Sequence, residues 1–194
     1  ISMKTLEHAR IKYTIASYPA GRLFDDLSKG KLDLFNGLHT IPSFKSTTIH
    51  SSLNLFPLEM RIYYIGDKKN INFKEELSNR SIVMTRGYSY HDWGTWIRDK
   101  SNKVIFYETD THDASFQMLK KGRVDYLLTY KYIDDACLKN MTIPNLRFNA
   151  PSSVHGLHCT FNLNKNMPHA DAILKKLEES YRQLIKEGKL KQYN

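Results

Sequence analysis

The chain has 194 residues, 41% of them hydrophobic and 12% aromatic, which is enough apolar matter for a packed core and excludes an intrinsically disordered chain. The net charge of +9 is carried by scattered pairs such as Lys68 and Lys69, Lys120 and Lys121, Lys175 and Lys176. No dense basic run or sequence motif makes nucleic acid an expected partner. No run of about 18 apolar residues is present to span a bilayer, and Ile1 to Arg10 lack the apolar centre of a signal peptide.

In chain order, residues 1–10 read as the tail of a helix, and Lys12 to Ser17 as a strand with Ile15 and Ala16 buried. Tyr18-Pro19-Ala20-Gly21 breaks the run before a helix from Arg22 to Lys29, and Leu32 to Gly37 follows as a second strand. Strand, helix and strand predict a right-handed parallel unit. Leu38 to Asn54 is polar and irregular, a loop long enough to suggest work of its own. Leu53 to Ile65 is strand-rich again. A short helix is predicted over Asn72 to Ser78 with Asn72 as its N-cap, then a strand from Ser81 to Thr85 and a helix from Ser89 to Asp99 carrying Trp93 and Trp96. Val104 to Tyr107, His112 to Lys121, Val124 to Thr129 and Tyr132 to Leu138 continue the alternation, which predicts a parallel sheet flanked by helices. Leu146 to Phe148 and Val154 to Leu163 read as further strands. His169 to Gly188 is the longest helix, with Ile173, Leu174, Leu177, Tyr181, Leu184 and Ile185 on one face that should pack onto a domain.

One phrase occurs twice. Leu27 to Gly37 reads L-S-K-G-K-L-D-L-F-N-G and Leu119 to Tyr130 reads L-K-K-G-R-V-D-Y-L-L-T-Y. In both, a helix ends on glycine and turns directly into an apolar strand bearing one Asp. The copies are too far apart for a solenoid repeat and predict two similar α/β lobes. Asp33 and Asp125 look like paired acids, but as strand residues in a structural phrase they are expected to bond neighbouring backbone or a helix end. His91-Asp92 and His112-Asp113 put no two ligands on one helix face, so no metal is expected. No G-x-S-x-G, phosphate loop or dinucleotide fingerprint occurs, and neither a catalytic residue nor a cofactor is predicted. Cys137 and Cys159 have no metal-ligand spacing, and both two separate thiols and one bridge stay open.

The order of elements, with P-A-G-R at 19–22, G-K-L-D at 30–33, Phe56-Pro57, R-G-Y-S at 86–89, G-R-V-D at 122–125 and a final helix ending E-G-K-L-K-Q-Y, resembles the extracellular solute-binding proteins of family 3. These are periplasmic receptors of ABC importers for polar amino acids and related solutes. The resemblance implies a two-lobed α/β fold of the type II periplasmic-binding-protein kind. Each lobe would be a mainly parallel sheet flanked by helices, and two crossing strands would join them. Residues 1–61 and 156–194 would form lobe one, and 62–155 an inserted lobe two. It also implies that the first strand and helix of the family's lobe one are missing from this sequence: either the chain is a fragment, or its lobe one is incomplete and is completed by something else, such as a strand from a neighbouring chain.

The family's ligand positions fall on few matching residues. Its carboxylate-clamping Arg falls on Lys45 counting from Asp33, or on Thr48 counting from Pro57. Its anion-receiving helix start falls on Gly87, Tyr88 and Ser89, with Arg86 beside them. The acid that pairs with a ligand's α-amino group falls on Tyr130, whose phenol cannot neutralise an ammonium. Tyr18, Tyr88, Tyr130 and Trp93 are candidate walls of a basic, aromatic cleft. The implied function is non-enzymatic binding of a small polar or anionic solute, not an ordinary α-amino acid. Hinge closure between the lobes would deliver it to a membrane ABC permease on the periplasmic side. A ligand-sensing input domain of a membrane signalling protein is the alternative, and a periplasmic enzyme on the same fold the third reading.

Overall fold

The computed structural model describes residues 1–16, 18, 20–38, 46–151 and 158–193. Two compact units result: one of Ile1–Tyr18, Arg22–Pro57 and Leu157–Asn194, the other of Pro19–Gly21 and Leu58–Gly156.

In the first unit, helices α1 (Ser2–His8) and α2 (Ala20–Ser28) are followed by strands β1 (Leu34–Gly37), β2 (Thr48–His50) and β3 (Phe56–Pro57). Past the second unit, with its strands β4 to β8 and helices α3 to α5, the chain returns as β9 (His158–Asn164) and α6 (Ala170–Lys186). β9 is the axis of the sheet: β1, β2 and β3 all pair with it, and all antiparallel. The mainly parallel sheet expected for this lobe is therefore not what forms. Residues 12–16 make no strand, and Ile15 is 67% exposed rather than buried. The β-prone run there has no partner strand among the described residues, whereas β1 finds one far along the chain and runs opposite to it. The supposed irregular loop contributes β2, where Ile49 faces Leu163 in register. Leu177 and Tyr181 of α6 fall on one helix face by their spacing and pack with Leu6, Ala9, Leu55, Phe161 and Leu163 into the core of this unit, and Leu184 on the same face is buried as well. The Tyr181 hydroxyl donates to the carbonyls of Leu55 and Asn54 at 3.3 and 3.4 Å, which fixes the depth of the helix.

The second unit holds β4 (Met60–Ile65), β5 (Ser81–Thr85), α3 (His91–Arg98), β6 (Ile105–Thr109), α4 (His112–Lys120), β7 (Tyr126–Tyr130), α5 (Lys131–Leu138) and β8 (Leu146–Asn149). Its sheet has the order β6-β5-β7-β4-β8. β5 runs parallel to both β6 and β7, but β4 is antiparallel to β7 and β8 antiparallel to β4. So this sheet is mixed, parallel only where a helix crosses between strands. Covered on both faces, Ile82, Val83 and Met84 of β5 and Leu127 and Leu128 of β7 are fully buried, as strands served by helical crossovers are. α4 begins on Thr111, whose hydroxyl accepts from the Ala114 amide at 3.2 Å, and stops before Gly122, which takes φ +64°. The short helix expected over residues 72–78 is a 3-10 turn at Lys74–Leu77 with Phe73, not Asn72, as its cap. The Glu76 carboxylate accepts from the amides of both residues instead.

Asp125 bonds neighbouring backbone, as its place in the repeated phrase predicts. It accepts from the Ser81 amide at 3.1 Å and hydroxyl at 2.7 Å, and ion-pairs with Lys68. Cys137 and Cys159 are both free thiols. Among the described residues no helix is long and apolar enough to cross a membrane.

Candidate functional site

The residues singled out from sequence fall into two groups. Tyr18 and Thr48 belong to the first unit: Tyr18 is half-buried with the Arg22 guanidinium 5.2 Å from its ring centre, and Thr48 opens β2 opposite Asn164. Lys45 lies outside the described residues. Arg86, Gly87, Tyr88, Ser89 and Tyr130 belong to the second unit, where the structure brings them together at the carboxyl ends of β5 and β7.

The loop from Arg86 to Tyr90 is shaped by its backbone. Gly87 has φ +88°, and Tyr90 and His91 both sit at φ +52°, a region that costs an ordinary residue energy and is kept only where surroundings enforce it. Three contacts do the enforcing. The Arg86 amide donates to the Thr109 carbonyl at 2.8 Å. The Tyr90 hydroxyl turns back under the loop, accepting from the Thr85 amide at 3.1 Å. Arg98, at the end of α3, donates to the Tyr88 carbonyl at 3.0 Å and the Ser89 carbonyl at 3.4 Å while gripping Glu108 at 2.9 Å. Gly94 leaves room for this, since a Cβ there would lie 1.9 Å from the Ser89 carbonyl oxygen. The loop's Tyr88 and Ser89 carbonyls are thus occupied. Its Gly87, Tyr88 and Ser89 amides donate to no acceptor among the described residues, an arrangement that favours an anion.

Behind the loop lies a tyrosine cluster that the sequence reading found only in part. Tyr130 is buried and stacks on Tyr90, ring centres 5.3 Å apart and planes at 10°. Tyr88 leans on Tyr90, Tyr130 and His112 at 5.9, 6.0 and 5.1 Å, and Tyr132 on Tyr130 at 6.3 Å. Tyr130 therefore backs the more accessible Tyr88 and Tyr132 rings. Trp93, taken as a candidate wall, is 1% exposed and belongs to the core. Buried in α3, it offers no ring face to solvent.

The electrostatics are those of a dry aromatic floor under a polar rim. Burial raises the Tyr88 phenol above its ordinary value, with the Tyr132 hydroxyl bonded to it and opposing the rise. Burial raises Tyr90 further. The His112 imidazole is pushed down to about 4 by burial, against the pull of Asp113, so it is neutral at ordinary pH. Its Nδ1 is 2.9 Å from the Thr85 hydroxyl. On the rim, Arg86 holds Asp110 at 2.6 Å, and Lys131 holds Glu59 at 3.0 Å. Tyr90, Arg98, His112 and Tyr132 were not among the predicted site residues. An R-G-Y-x-Y string and a Tyr-Lys-Tyr string were the only signals of Tyr90 and Tyr132, His112 stood out only as a metal candidate, and neither string says that β5 and β7 are neighbours.

No protein-family model matches the chain, and no curated protein sequence does. Solved structures do. An ancestral arginine-binding protein bound to arginine superposes with a TM-score of 0.80 over 97% of this chain and 81% of its own, at 18% identity. An amino acid ABC transporter substrate-binding protein from Streptococcus pneumoniae, bound to L-arginine, gives 0.76 over 96% and 76%, at 12% identity. A histidine kinase sensor domain with similarity to periplasmic binding proteins gives 0.78 over 96% and 78%, at 15% identity. The chain has the α/β fold of the substrate-binding proteins of amino-acid ABC transporters.

Proposed function

We propose that this protein binds a small anionic solute outside the cytoplasm, without catalysis, for delivery to a membrane ABC importer. The observation that carries this reading is the Arg86–Tyr90 loop with its tyrosine floor. Placed at the carboxyl ends of β5 and β7, it occupies the end of an α/β sheet where ligands bind. The solute's acidic group would meet the amides of Gly87, Tyr88 and Ser89, and its body would lie on Tyr88 and Tyr132. Residues 62–155 are proposed to act as one lobe and 1–61 and 156–194 as the other, with closure on the solute as the transported signal.

The ligand is proposed to be a carboxylate without an α-amino requirement. Tyr130 stands where the resemblance puts an acid, and the nearby carboxylates of Glu59, Glu108 and Asp110 already hold Lys131, Arg98 and Arg86. His112, neutral and committed to Thr85, supports binding over proton transfer. The test is a thermal-shift screen of small mono- and dicarboxylates beside L-arginine, L-glutamine and L-glutamate, repeated on Tyr88→Ala. A carboxylate should raise the midpoint, and Tyr88→Ala should remove the rise. An unmodified amino acid as the tightest ligand would overturn the ligand class, and no response from any solute would overturn the binding role.

A second reading, the ligand-sensing domain of a membrane signalling protein, is favoured by the likeness to a histidine kinase sensor domain. It keeps the same site and changes only the recipient of the closed form.

A further inference from the structure

The sheet of the second unit has two poles, and they differ in charge. At the pole opposite the tyrosine loop, where the parallel strands start, lie Arg80 before β5, Lys100 and Lys103 before β6, and Lys120, Lys121 and Arg123 before β7. All six are exposed. Register holds the three strand starts side by side: the Asn79 amide donates to the Lys103 carbonyl and the Ile105 amide to the Arg80 carbonyl, each at 2.9 Å, and the Asp125 amide to the Ser81 carbonyl at 3.1 Å. The acids at this pole are largely spoken for, Asp125 by Lys68 and Ser81, Glu76 by Lys69 and Asp67 by Arg147. None of the six cations has an ion-pair partner among the described residues. Helix C-termini also gather here, but at about half a negative charge each they offset only a fraction of six cations.

Beside Lys103, the edge strand β6 exposes Ile105 (53%) and Phe106 (36%). The Arg80 and Thr109 contacts that β5 makes with β6 involve the Ile105 amide and the Thr109 carbonyl. By strand alternation Phe106 and Glu108 turn their backbone toward the open edge.

We infer that this pole is a docking surface for an anionic phospholipid membrane. Its cations would meet the headgroups, and Ile105 and Phe106 would enter the boundary between headgroup and acyl chain. Charge complementarity argues for an anionic partner. The aliphatic and aromatic side chains flanking the lysines favour lipid, because a phosphate backbone gives an isoleucine nothing to bury against. β5 is five residues long, so docking here leaves the tyrosine loop about 17 Å away and open to solute.

The test is flotation of the whole chain with vesicles of phosphatidylcholine alone and with about 30 mol % phosphatidylglycerol. Binding should require the anionic lipid and be lost in about 0.5 M salt. The triple variant Arg80→Glu, Lys103→Glu, Lys121→Glu should weaken it about a hundred-fold. Lys175→Glu, Lys176→Glu, Lys186→Glu on α6 changes net charge equally and should leave most binding in place. A milder set, Arg80→Gln, Lys103→Gln, Lys121→Gln, serves if the first misfolds. Ile105→Ser with Phe106→Ser should remove the part of binding that survives moderate salt. Absence of binding to anionic vesicles at low salt, or equal losses from both charge-reversal sets, would overturn the inference. So would tighter, pole-dependent binding to a DNA duplex, which would assign the surface to nucleic acid.

Discussion

The two copies of the repeated phrase begin alike and end differently. Gly30 and Gly122 both close a helix in the left-handed region, at φ +67° and +64°, and both are followed by a basic residue, an apolar one and an aspartate. Beyond that point their fates diverge. β7 lies inside its sheet, parallel to β5 and antiparallel to β4, with every residue buried. β1 stands at the end of the order in its sheet, paired among the described residues with β9 alone, and Leu34, Phe35 and Asn36 are only partly buried. Asp125 ties two strand starts together through Ser81, whereas Asp33 is exposed. The helix-to-strand turn is written locally; what the strand and its aspartate do is decided by residues that arrive from elsewhere in the chain.

The largest contrast should come from matched core deletions. Leu127→Ala in β7 removes a fully buried side chain and should cost about 2–5 kcal/mol. Phe35→Ala at the matching position of β1 should cost clearly less despite the larger ring. Urea unfolding followed by a probe in each unit reads both, and equal losses would show that the two strands carry the same load.

Gly94→Ala asks the same of the site. With the Ser89 carbonyl in the way of its Cβ, the variant should lose about 1–3 kcal/mol and displace the Arg86–Tyr90 loop, read as a changed tyrosine near-ultraviolet circular dichroism signal. A silent substitution would mean that Gly94 does not set the loop.

Gly30→Ala and Gly122→Ala should each cost about 1 kcal/mol or slightly more, because alanine resists positive φ. Gly30 should be the worse, since a Cβ there comes within 3.1 Å of the Asn164 amide nitrogen while Gly122 faces open space.

The smallest effect concerns an aspartate. Burial would raise Asp125, but Lys68 and the Ser81 hydroxyl and amide outweigh it and hold the carboxyl at about 2. Because its ordinary value is about 4, Asp125 stabilises the fold above that pH and its contribution fades as pH falls toward 2. Asp125→Asn should flatten stability across that window, read as urea midpoints measured between about pH 2 and 5.

Legibility follows the same division. Helices with clear faces and glycine stops, such as α4 and α6, could be read from spacing alone, as could β5 with its unbroken apolar run. The first unit's antiparallel sheet could not, because β1 and β2 carry no sign that their partner is β9, reached only after the whole second unit. The strand expected over Lys12 to Ser17 does not form over the described residues 12–16, because β-propensity records fitness for a sheet and not the presence of a neighbour. At the site, Arg86 to Ser89 was legible as a strand-to-helix turn. Its floor was legible only at Tyr88 and Tyr130, since Tyr90 holds a conformation that glycine normally signals, and His112 reaches Tyr88 only through the adjacency of β5 and β6.

That β9 serves β1, β2 and β3 at once has a consequence for the order of folding. Gly37 must wait for Thr160, and Ile49 for Leu163, so closure of the first sheet spans most of the chain. The strands of the second unit lie in one uninterrupted stretch from Met60 to Asn149. During synthesis that stretch leaves the ribosome before β9 does and can form its sheet while β1 and β2 remain unpaired. Local pairings form faster than distant ones, and domains fold as units when their residues emerge. The inserted unit is thus expected to fold first, and the unit closed by β9 to be finished last.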